Sequence, residues 1–556
     1  MDVRRLILFV VLSFSILFFW STWQERHAPA PTQIDTAQPA TQAPSAEVNA
    51  KVFQLASDKR ITVETDTFKA EIDTLGGDIR HVELLKHHAD YSNQQDFVLL
   101  DDSKSPLVYV AQSGLIGADL PTHKTLFTST ASNYQLSADQ NQLQVALDAV
   151  NAAGVKVTKT YTFTRGSYVV KVDYLINNAS SAAIDPWVYY QILHDSESSQ
   201  GTKMMPTFTG AAYYTEADKY KKIKFTDMSK EDLSKTSKDG WIGLVQHYFV
   251  SAWIPAGQQS REFYTNKLSD KVYAIGAKSA LGMLAPGASK TVSAELYMGP
   301  QTHDELVKTA PGLEYTVDYG WLTFIASPLF MVLSFINDFA HNWGVAIIVL
   351  TILIKLAFYP LSASGYRNMA QMRELAPRLQ SLKERFGDDR QKMQEAMMEL
   401  YKKEKINPMG GCLPILVQIP VFISLYWMLL GSVEMRHAPF MLWQDLSAPD
   451  ALFGHLPAWV PLLGGSSNPM PIGLLPILMA ATMLIQTKLN PKPADPVQAK
   501  VMVIMPIVFS FFFFYFPAGL VLYWLVNNIL SIAQQARINH LIHAGALTKK
   551  KGHAGK

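Results

Sequence analysis

Two spacings of apolar residues divide this chain. From Ile61 to about Gly299 apolar and polar positions alternate, as in Val155, Val157, then Tyr161 and Phe163, and beyond Arg165-Gly166 again Tyr168, Val170, Val172 and Tyr174. A period of two places one apolar face on each strand, so these residues predict a hairpin in a large, mainly antiparallel β domain. One apolar face per strand suits two packed sheets. After Tyr319 the spacing becomes helical, and several apolar runs approach the roughly 20 residues that span a hydrocarbon core.

Charge gives these runs direction. Arg4 and Arg5 precede the apolar run 6–20, with Trp23 just beyond, which predicts a helix anchored by cytoplasmic arginines. A cleaved signal peptide is the competing reading, because Ala28-Pro29-Ala30 mimics a cleavage pattern. Phe18, Phe19 and Trp20 argue against it, since they end the run where a signal peptide turns small and polar. The anchor is therefore placed at 1–26. A Pro-, Ala-, Gln- and Thr-rich stretch over 27–50 cannot bury a core and reads as a flexible linker outside the cytoplasm. The β domain follows at 51–315.

Over 316–342, Leu322, Ile325, Leu329, Val332, Leu333, Ile336 and Phe339 recur at helical spacing, interrupted by Thr323, Ser327, Ser334, Asn337 and Asp338. A crossing here would put the following Lys/Arg-rich segment outside, against the positive-inside bias. An interfacial amphipathic helix on the outer surface is the expectation. The run 343–361 then crosses inward. Residues 362–412 form a cytoplasmic helical hairpin, one helix marked by Met369, Met372, Leu375, Leu379, Leu382 and Phe386, the other by Met393, Met397 and Leu400. Gly387 suits a helix stop and Asp388 with Gln391 a capping box between them. The methionines Met369, Met372, Met393 and Met397 are flexible apolar contacts of the kind used on adaptable surfaces. Four further crossings fit within 413–535, separated by an outer loop whose one basic residue is Arg436 and by an inner turn carrying Lys488, Lys492 and Lys500. A basic tail, 536–556, ends the chain inside. The fold class is thus an α+β membrane protein with six transmembrane helices and both termini cytoplasmic.

Composition agrees: 48% hydrophobic and 17% charged suits a chain half in lipid and half in water. A net charge of +2 gives no global field for nucleic acid. The single cysteine, Cys412, rules out an intrachain disulfide. In the β domain His194, Asp195, Glu197 and His247 read as scattered, solvated residues with no zinc spacing or nucleophile motif, so no cofactor is expected and the chain does not read as an enzyme.

The candidate chemistry lies among the later helices. Lys355 sits in the bilayer-length run 344–359, where a cation costs about 2.5–3.5 kcal/mol and demands a partner, a wet cavity or an escape to the interface. Thr351 lies one turn before it on the same face. Gln418 begins the third crossing, Thr482 and Gln486 end the fourth, and Trp524, Asn528, Ser531 and Gln535 share a face of the sixth, beside Tyr523. With the directions above, these polar positions fall in the cytoplasmic half. The outer half holds Phe511 to Phe514, Tyr515 and Phe516. Such a set encloses a hydrophilic groove open inward and sealed outward, in which a polar stretch of another chain leaves water before entering lipid.

The stretches NWGVAIIVLTILIKLAFYPLS, YKKEKINPMGGCLPILVQIPVF, DPVQAKVMVIMPIVF and FPAGLVLYWLVNN resemble the YidC family of bacterial inner-membrane protein insertases, over essentially the whole chain. The resemblance implies a large periplasmic β-supersandwich, a five-helix insertase core behind an N-terminal anchor, nascent membrane proteins as clients and work beside the Sec translocon. It implies that Lys355 occupies the place of the family's groove arginine, keeping the charge but losing the planar fork. Trp524 stands where relatives commonly carry tyrosine. The basic tail is expected to meet the ribosome electrostatically, and the helices to meet the lipid bilayer. A transporter would show repeat symmetry and paired ionisable residues, and a sugar-binding enzyme would need a site in the β domain; neither signature is present in the sequence.

Overall fold

The computed structural model describes residues 55–89, 95–103, 108–196, 207–386, 389–404, 413–457, 469–490 and 496–543. The N-terminal anchor, the linker, Gly387, Asp388, Cys412 and the end of the basic tail lie outside them. The described chain forms two units. One comprises the residues up to Gly320 together with Leu430–His437; the other begins at Trp321 and excludes that short segment.

The first unit is a β-sandwich. Its ten-stranded sheet runs β14 (Ser234–Ser237), β17 (Arg261–Lys267), β18 (Val272–Ala280), β11 (Trp187–Asp195), β5 (Tyr109–Ile116), β3 (Asp78–His88), β2 (Phe68–Asp73), β1 (Arg60–Glu64) and β7 (Asn133–Gln135), with β4 (Asp96–Leu100) also on β3. The nine-stranded sheet runs β13 (Lys219–Ile223), β12 (Gly210–Thr215), β15 (Trp241–Val245), β16 (Phe249–Pro255), β19 (Ser289–Pro300), β10 (Val169–Asn178), β9 (Val155–Thr164), β8 (Gln142–Val150) and β6 (Thr128–Ser129). The expected hairpin is β9–β10, antiparallel with Val170 opposite Phe163, and Gly166 supplies the positive φ of 71° at its turn. Val155, Val157, Tyr161 and Phe163 face inward from β9, and Val170, Val172 and Tyr174 from β10.

Lys159 occupies the inward position that the apolar alternation skips. It is fully buried, 4.0 Å from Asp78, and donates to the Gly76 carbonyl at 3.2 Å with the Tyr161 and Tyr174 rings 5.2 and 5.5 Å away. Gln112 donates to Asp78 at 2.8 Å, and Arg80 approaches it at 3.4 Å. Burial pushes the Asp78 carboxyl up to about 6 against the pull of Arg80 and Lys159, and burial brings Lys159 down to about 8 against Asp78.

His194 and Asp195 are not solvated surface, as the sequence suggested. Both are buried: the His194 ring meets Tyr109 at 4.7 Å and Phe225 at 5.6 Å, and Asp195 Oδ2 accepts from the Val108 amide at 3.0 Å. A strand whose pattern reads apolar throughout is covered on both faces, so its polar residues go inside as well. Glu197 lies outside the described residues. His247 is half-buried, its Nε2 2.9 Å from the Leu430 carbonyl.

The second unit is helical. Its elements are α1 (Thr323–Ala340), α2 (Trp343–Ala357), α3 (Tyr359–Glu374), α4 (Ala376–Phe386), α5 (Arg390–Lys403), α6 (Leu413–Gly431), α7 (Leu474–Leu489), α8 (Pro496–Phe513) and α9 (Ala518–His543). Asn342 caps α2 by accepting from the Val345 amide at 3.1 Å. At Phe358 the chain bends by 67° into α3, whose first turn accommodates Pro360 because that position has no intrahelical partner for an N–H. The helix marked by Met369 to Phe386, which Pro377 is expected to interrupt, divides at Leu375. Asp389 caps α5, accepting from the Lys392 amide at 3.1 Å. The α3 helix packs on the last turns of α9, where Ala363, Ile538 and Ile542 are buried together with Tyr366 and Ala370 beside them.

Among the described residues, α1 is the helix that by length and composition alone could cross a membrane; α2 with α3 qualifies as a bent pair, and Leu416–Gly431, Leu474–Leu489 and Lys500–Phe513 are shorter apolar helices. Apolar residues point outward from α2, α6, α7 and α8: Ile352 and Leu356 on α2, Leu416 on α6, Ile485 on α7, Ile504 and Ile507 on α8. In water this exposure would be costly; against lipid it is the expected finish.

The loop between α6 and α7 is stapled to helix starts. Asn342 donates to the Pro439 carbonyl at 3.2 Å, Asp450 Oδ2 accepts from the Leu475 amide at 2.8 Å, and the amides of Ala518 and Gly519 donate to the carbonyls of Ala448 and Leu446, each at 2.8 Å. These bonds satisfy N-terminal amides of α7 and α9 that have no intrahelical acceptor.

Candidate functional site

Four helices converge on a cavity of about 230 Å³. The α3 helix contributes Ser362, Gly365, Tyr366 and Met369; α6 contributes Gln418, Ile419 and Phe422; α7 and its end contribute Gln486 and Asn490; α9 contributes Tyr523, Trp524, Asn527, Asn528 and Ser531. Each helix presents residues three or four apart, which is how one helical face addresses one space. The lining holds five side-chain amides and several hydroxyls, and none of its residues is a Lys, Arg, Asp or Glu.

Hydrogen bonds tie the helices together around it. Gln418 donates to Asn527 Oδ1 at 2.8 Å, linking α6 to α9. Gln535 donates to the Leu489 carbonyl at 3.2 Å and to Asn490 Oδ1 at 3.1 Å, linking α9 to the end of α7. Asn528 reaches Thr482 at 3.5 Å. The Lys355 ammonium donates to Ser531 Oγ at 2.7 Å and, among the described residues, forms no ion pair.

One end of the cavity is aromatic. Phe422 meets Trp524 edge-on at 4.2 Å and Tyr523 at 6.3 Å. The rings continue away from the amides: Trp524 to Phe513 at 5.0 Å, Phe513 to Phe516 at 5.3 Å, and Phe516 to Tyr426 at 5.9 Å. Polar and greasy halves therefore adjoin along the same helices, with Phe422 and Trp524 at the boundary.

Of the residues singled out in the sequence, Gln418, Gln486, Tyr523, Trp524, Asn528 and Ser531 line this one space. Thr351 and Lys355 do not. Thr351 is buried with its hydroxyl returned to the Ile347 carbonyl of its own helix at 2.6 Å, and Lys355 reaches the cavity through Ser531. Met369 lines the cavity, whereas Met372, Met393 and Met397 lie half-buried on α3 and α5 away from it. Sequence reasoning missed Asn527, Phe422, Tyr366 and Asn490. The doublet Asn527-Asn528 was the available signal: two adjacent amides lie about 100° apart on a helix, so a broad polar face, with Tyr523, Asn527 and Ser531 at spacings of four, was legible there.

Comparison with known proteins follows the same division of the chain. A family model described as the YidC periplasmic domain matches residues 60–332, and one described as the 60Kd inner membrane protein matches residues 335–545. The membrane protein insertase YidC of Methylobacillus flagellatus is 62% identical over 571 residues, covering 100% of both chains. That of Aromatoleum aromaticum is 49% identical over 563 residues, covering 98% of each. A crystal structure of an active YidC insertase with its first transmembrane domain resolved aligns with 87% of this chain and 93% of its own at 19% identity, with a TM-score of 0.39. From its two matched family regions and its full-length relatives, this chain belongs to the YidC family of membrane protein insertases.

Proposed function

We propose that this membrane protein insertase passes client segments through the cavity between α3, α6, α7 and α9, acting also as a folding chaperone. The single observation carrying this reading is the neutral polar lining, amides and hydroxyls on α3, α6, α7 and α9, beside apolar outer faces on α6 and α7. A polar segment entering a bilayer loses several kcal/mol of hydrogen bonding to water per unpaired group, and a cavity of amides returns part of it. Uncharged donors and acceptors suit clients of any sequence, because each amide offers both. Lys355, at the edge through Ser531, adds an attraction for acidic client segments.

The orientation follows from charge. With α2 running inward, the pair α4–α5 and the tail lie in the cytoplasm, the β-sandwich lies in the periplasm, and six crossings bring both termini inside. On that topology α1 lies flat on the outer surface, since a crossing would export the basic segment after α3. The cavity's amide half then opens to the cytoplasm and its aromatic half seals the outer side. Partners on this reading are nascent membrane proteins, the Sec translocon, the ribosome through the lysines of the tail, and lipid.

Replacing Gln418 and Asn528 together by Leu removes two amides from the lining while leaving the helices apolar and intact. Insertion of a ribosome-free client into proteoliposomes should fall by about tenfold or more, the effect of losing one or two net hydrogen bonds at the crossing step. Undiminished insertion by that variant would refute the polar-lining role.

A further inference from the structure

Between α6 and α7 the chain folds into a tight hairpin whose tip has the wrong residues for water and for its own backbone. Phe440 and Trp443 exchange backbone hydrogen bonds at 2.7 and 2.9 Å, leaving Met441 and Leu442 as the two turn residues. Met441 has φ +51°, a left-handed conformation suited to Gly or Asn. It is also 82% exposed, and Leu442 is 59% exposed. A turn in solvent would carry Asn or Gly here on both counts. The exposed apolar pair Met441-Leu442 breaks local rules in the way functional surfaces do.

The base of the tip is fixed. The Phe440 ring packs so closely on Gly344, at the start of α2, that a Cβ there would lie 2.1 Å from Phe440 Cγ. Asn342 holds the Pro439 carbonyl, and Leu446 holds the start of α9. A second turn in the same loop exposes Leu452 and Phe453 beside Gly454, and its Asp450 holds the start of α7. Exposed apolar residues on the helix flanks, Val345 on α2 with Ile477 and Leu478 on α7, lie within about a turn or so of those starts. The exposed apolar residues of the tips thus accompany exposed apolar residues at the starts of α2 and α7.

We propose that the Met441-Leu442 tip is a membrane anchor, seated among the headgroups and upper acyl chains of the outer leaflet and pinning the outer ends of α2, α7 and α9 at one depth. The proposal rests on the reading that these helices cross the bilayer. Met and Leu, neither of them branched at Cβ, enter lipid readily, and Trp443 beside them suits the interface. A second copy or a bound protein would instead hide the tip from water and from lipid alike.

The test uses full-length protein carrying Cys412→Ser, reconstituted in vesicles of phosphatidylethanolamine and phosphatidylglycerol, with an NBD fluorophore at one introduced cysteine. Leu442→Cys probes the tip, Ile485→Cys the exposed flank of α7, and Glu384→Cys the water-exposed α4. The tip label should be quenched by lipids carrying a doxyl group near the headgroup, less by those carrying it at the chain end, and shielded from aqueous iodide. Adding Met441→Asn relieves the backbone strain yet should reduce the shallow quenching by roughly twofold or more, because the apolar contact is lost. A tip label that behaves like Glu384→Cys while Ile485→Cys is quenched overturns the anchor and leaves the crossings intact. Shielding from iodide without doxyl quenching also overturns it, in favour of a protein cover. If Ile485→Cys escapes quenching as well, the crossing reading fails and the anchor with it.

Discussion

Lys355 and Ser531, 176 residues apart in sequence, are joined by a 2.7 Å hydrogen bond in which the ammonium donates to the hydroxyl. Ser531 spends its own proton on the Asn527 carbonyl at 2.7 Å, so its oxygen can accept from the cation. The charge of α2 is thereby presented at the wall of the cavity from α9.

Charge and position at this pair separate by substitution. Lys355→Arg should retain insertion, and Lys355→Glu should reduce it by about tenfold or more for clients with acidic segments, because a carboxylate in low dielectric repels them. Ser531→Ala leaves the charge but frees its direction, and should cost less, with Ser531→Thr restoring most of the loss. In vitro insertion with acidic and neutral clients checks both arms; full activity of Lys355→Glu would contradict the charge role.

Acid should loosen the β-sandwich. Burial holds His87, His123 and His247 down to about 4, helped at His87 by Arg436 and at His123 by Lys124, and opposed at His247 by the Leu430 carbonyl. For bases held below the ordinary 6.5, the unfolded chain takes up protons first. Their contribution is full above about pH 6.5 and is lost as pH falls toward about 4, roughly 3 kcal/mol at most for each. Tryptophan fluorescence of the purified protein across this range should report an acid transition, and His123→Gln should move its midpoint to lower pH.

The buried cluster should matter for the sandwich and little for insertion. Asp78→Ala leaves Lys159 and Arg80 without their shared carboxylate in a fully buried site, a loss of about 3–5 kcal/mol. Limited proteolysis should show the sandwich opening at lower denaturant, while the variant, once in the membrane, keeps inserting ribosome-free clients. An intact sandwich in this variant would contradict the energetic role assigned to Asp78.

Legibility in the sequence followed the physics. Alternation at Val155, Val157, Tyr161 and Phe163 announced β9 because burial on one face selects every second residue, but Lys159 in the same register was invisible: a lysine in an alternating strand reads as solvated until its partners, from distant β3, are known. His194 and Asp195 were misread for the same reason. The cavity was largely legible because a polar residue in a bilayer-length helix is costly wherever it lies, so Gln418, Gln486, Asn528 and Ser531 stood out without coordinates. Phe422 did not, since an aromatic in an apolar helix carries no cost, and Tyr366 did not, since a tyrosine in a helix of mixed polarity carries none either; the neighbours of both are set by packing alone. Thr351 shared the face of Lys355 but packs inward with its hydroxyl returned to its own helix, a choice open to any helical threonine.

Site-specific photocrosslinking to a stalled nascent membrane chain tests the central claim most directly. Photoreactive residues at Gln418, Asn527 and Asn528, in the lining, should each capture the client, whereas the same residue at Ile352 or Ile504, on outward apolar faces, should capture lipid and little client. Equal client capture from Ile352, Ile504 and Asn528, or capture from the outward positions alone, would contradict passage through the cavity.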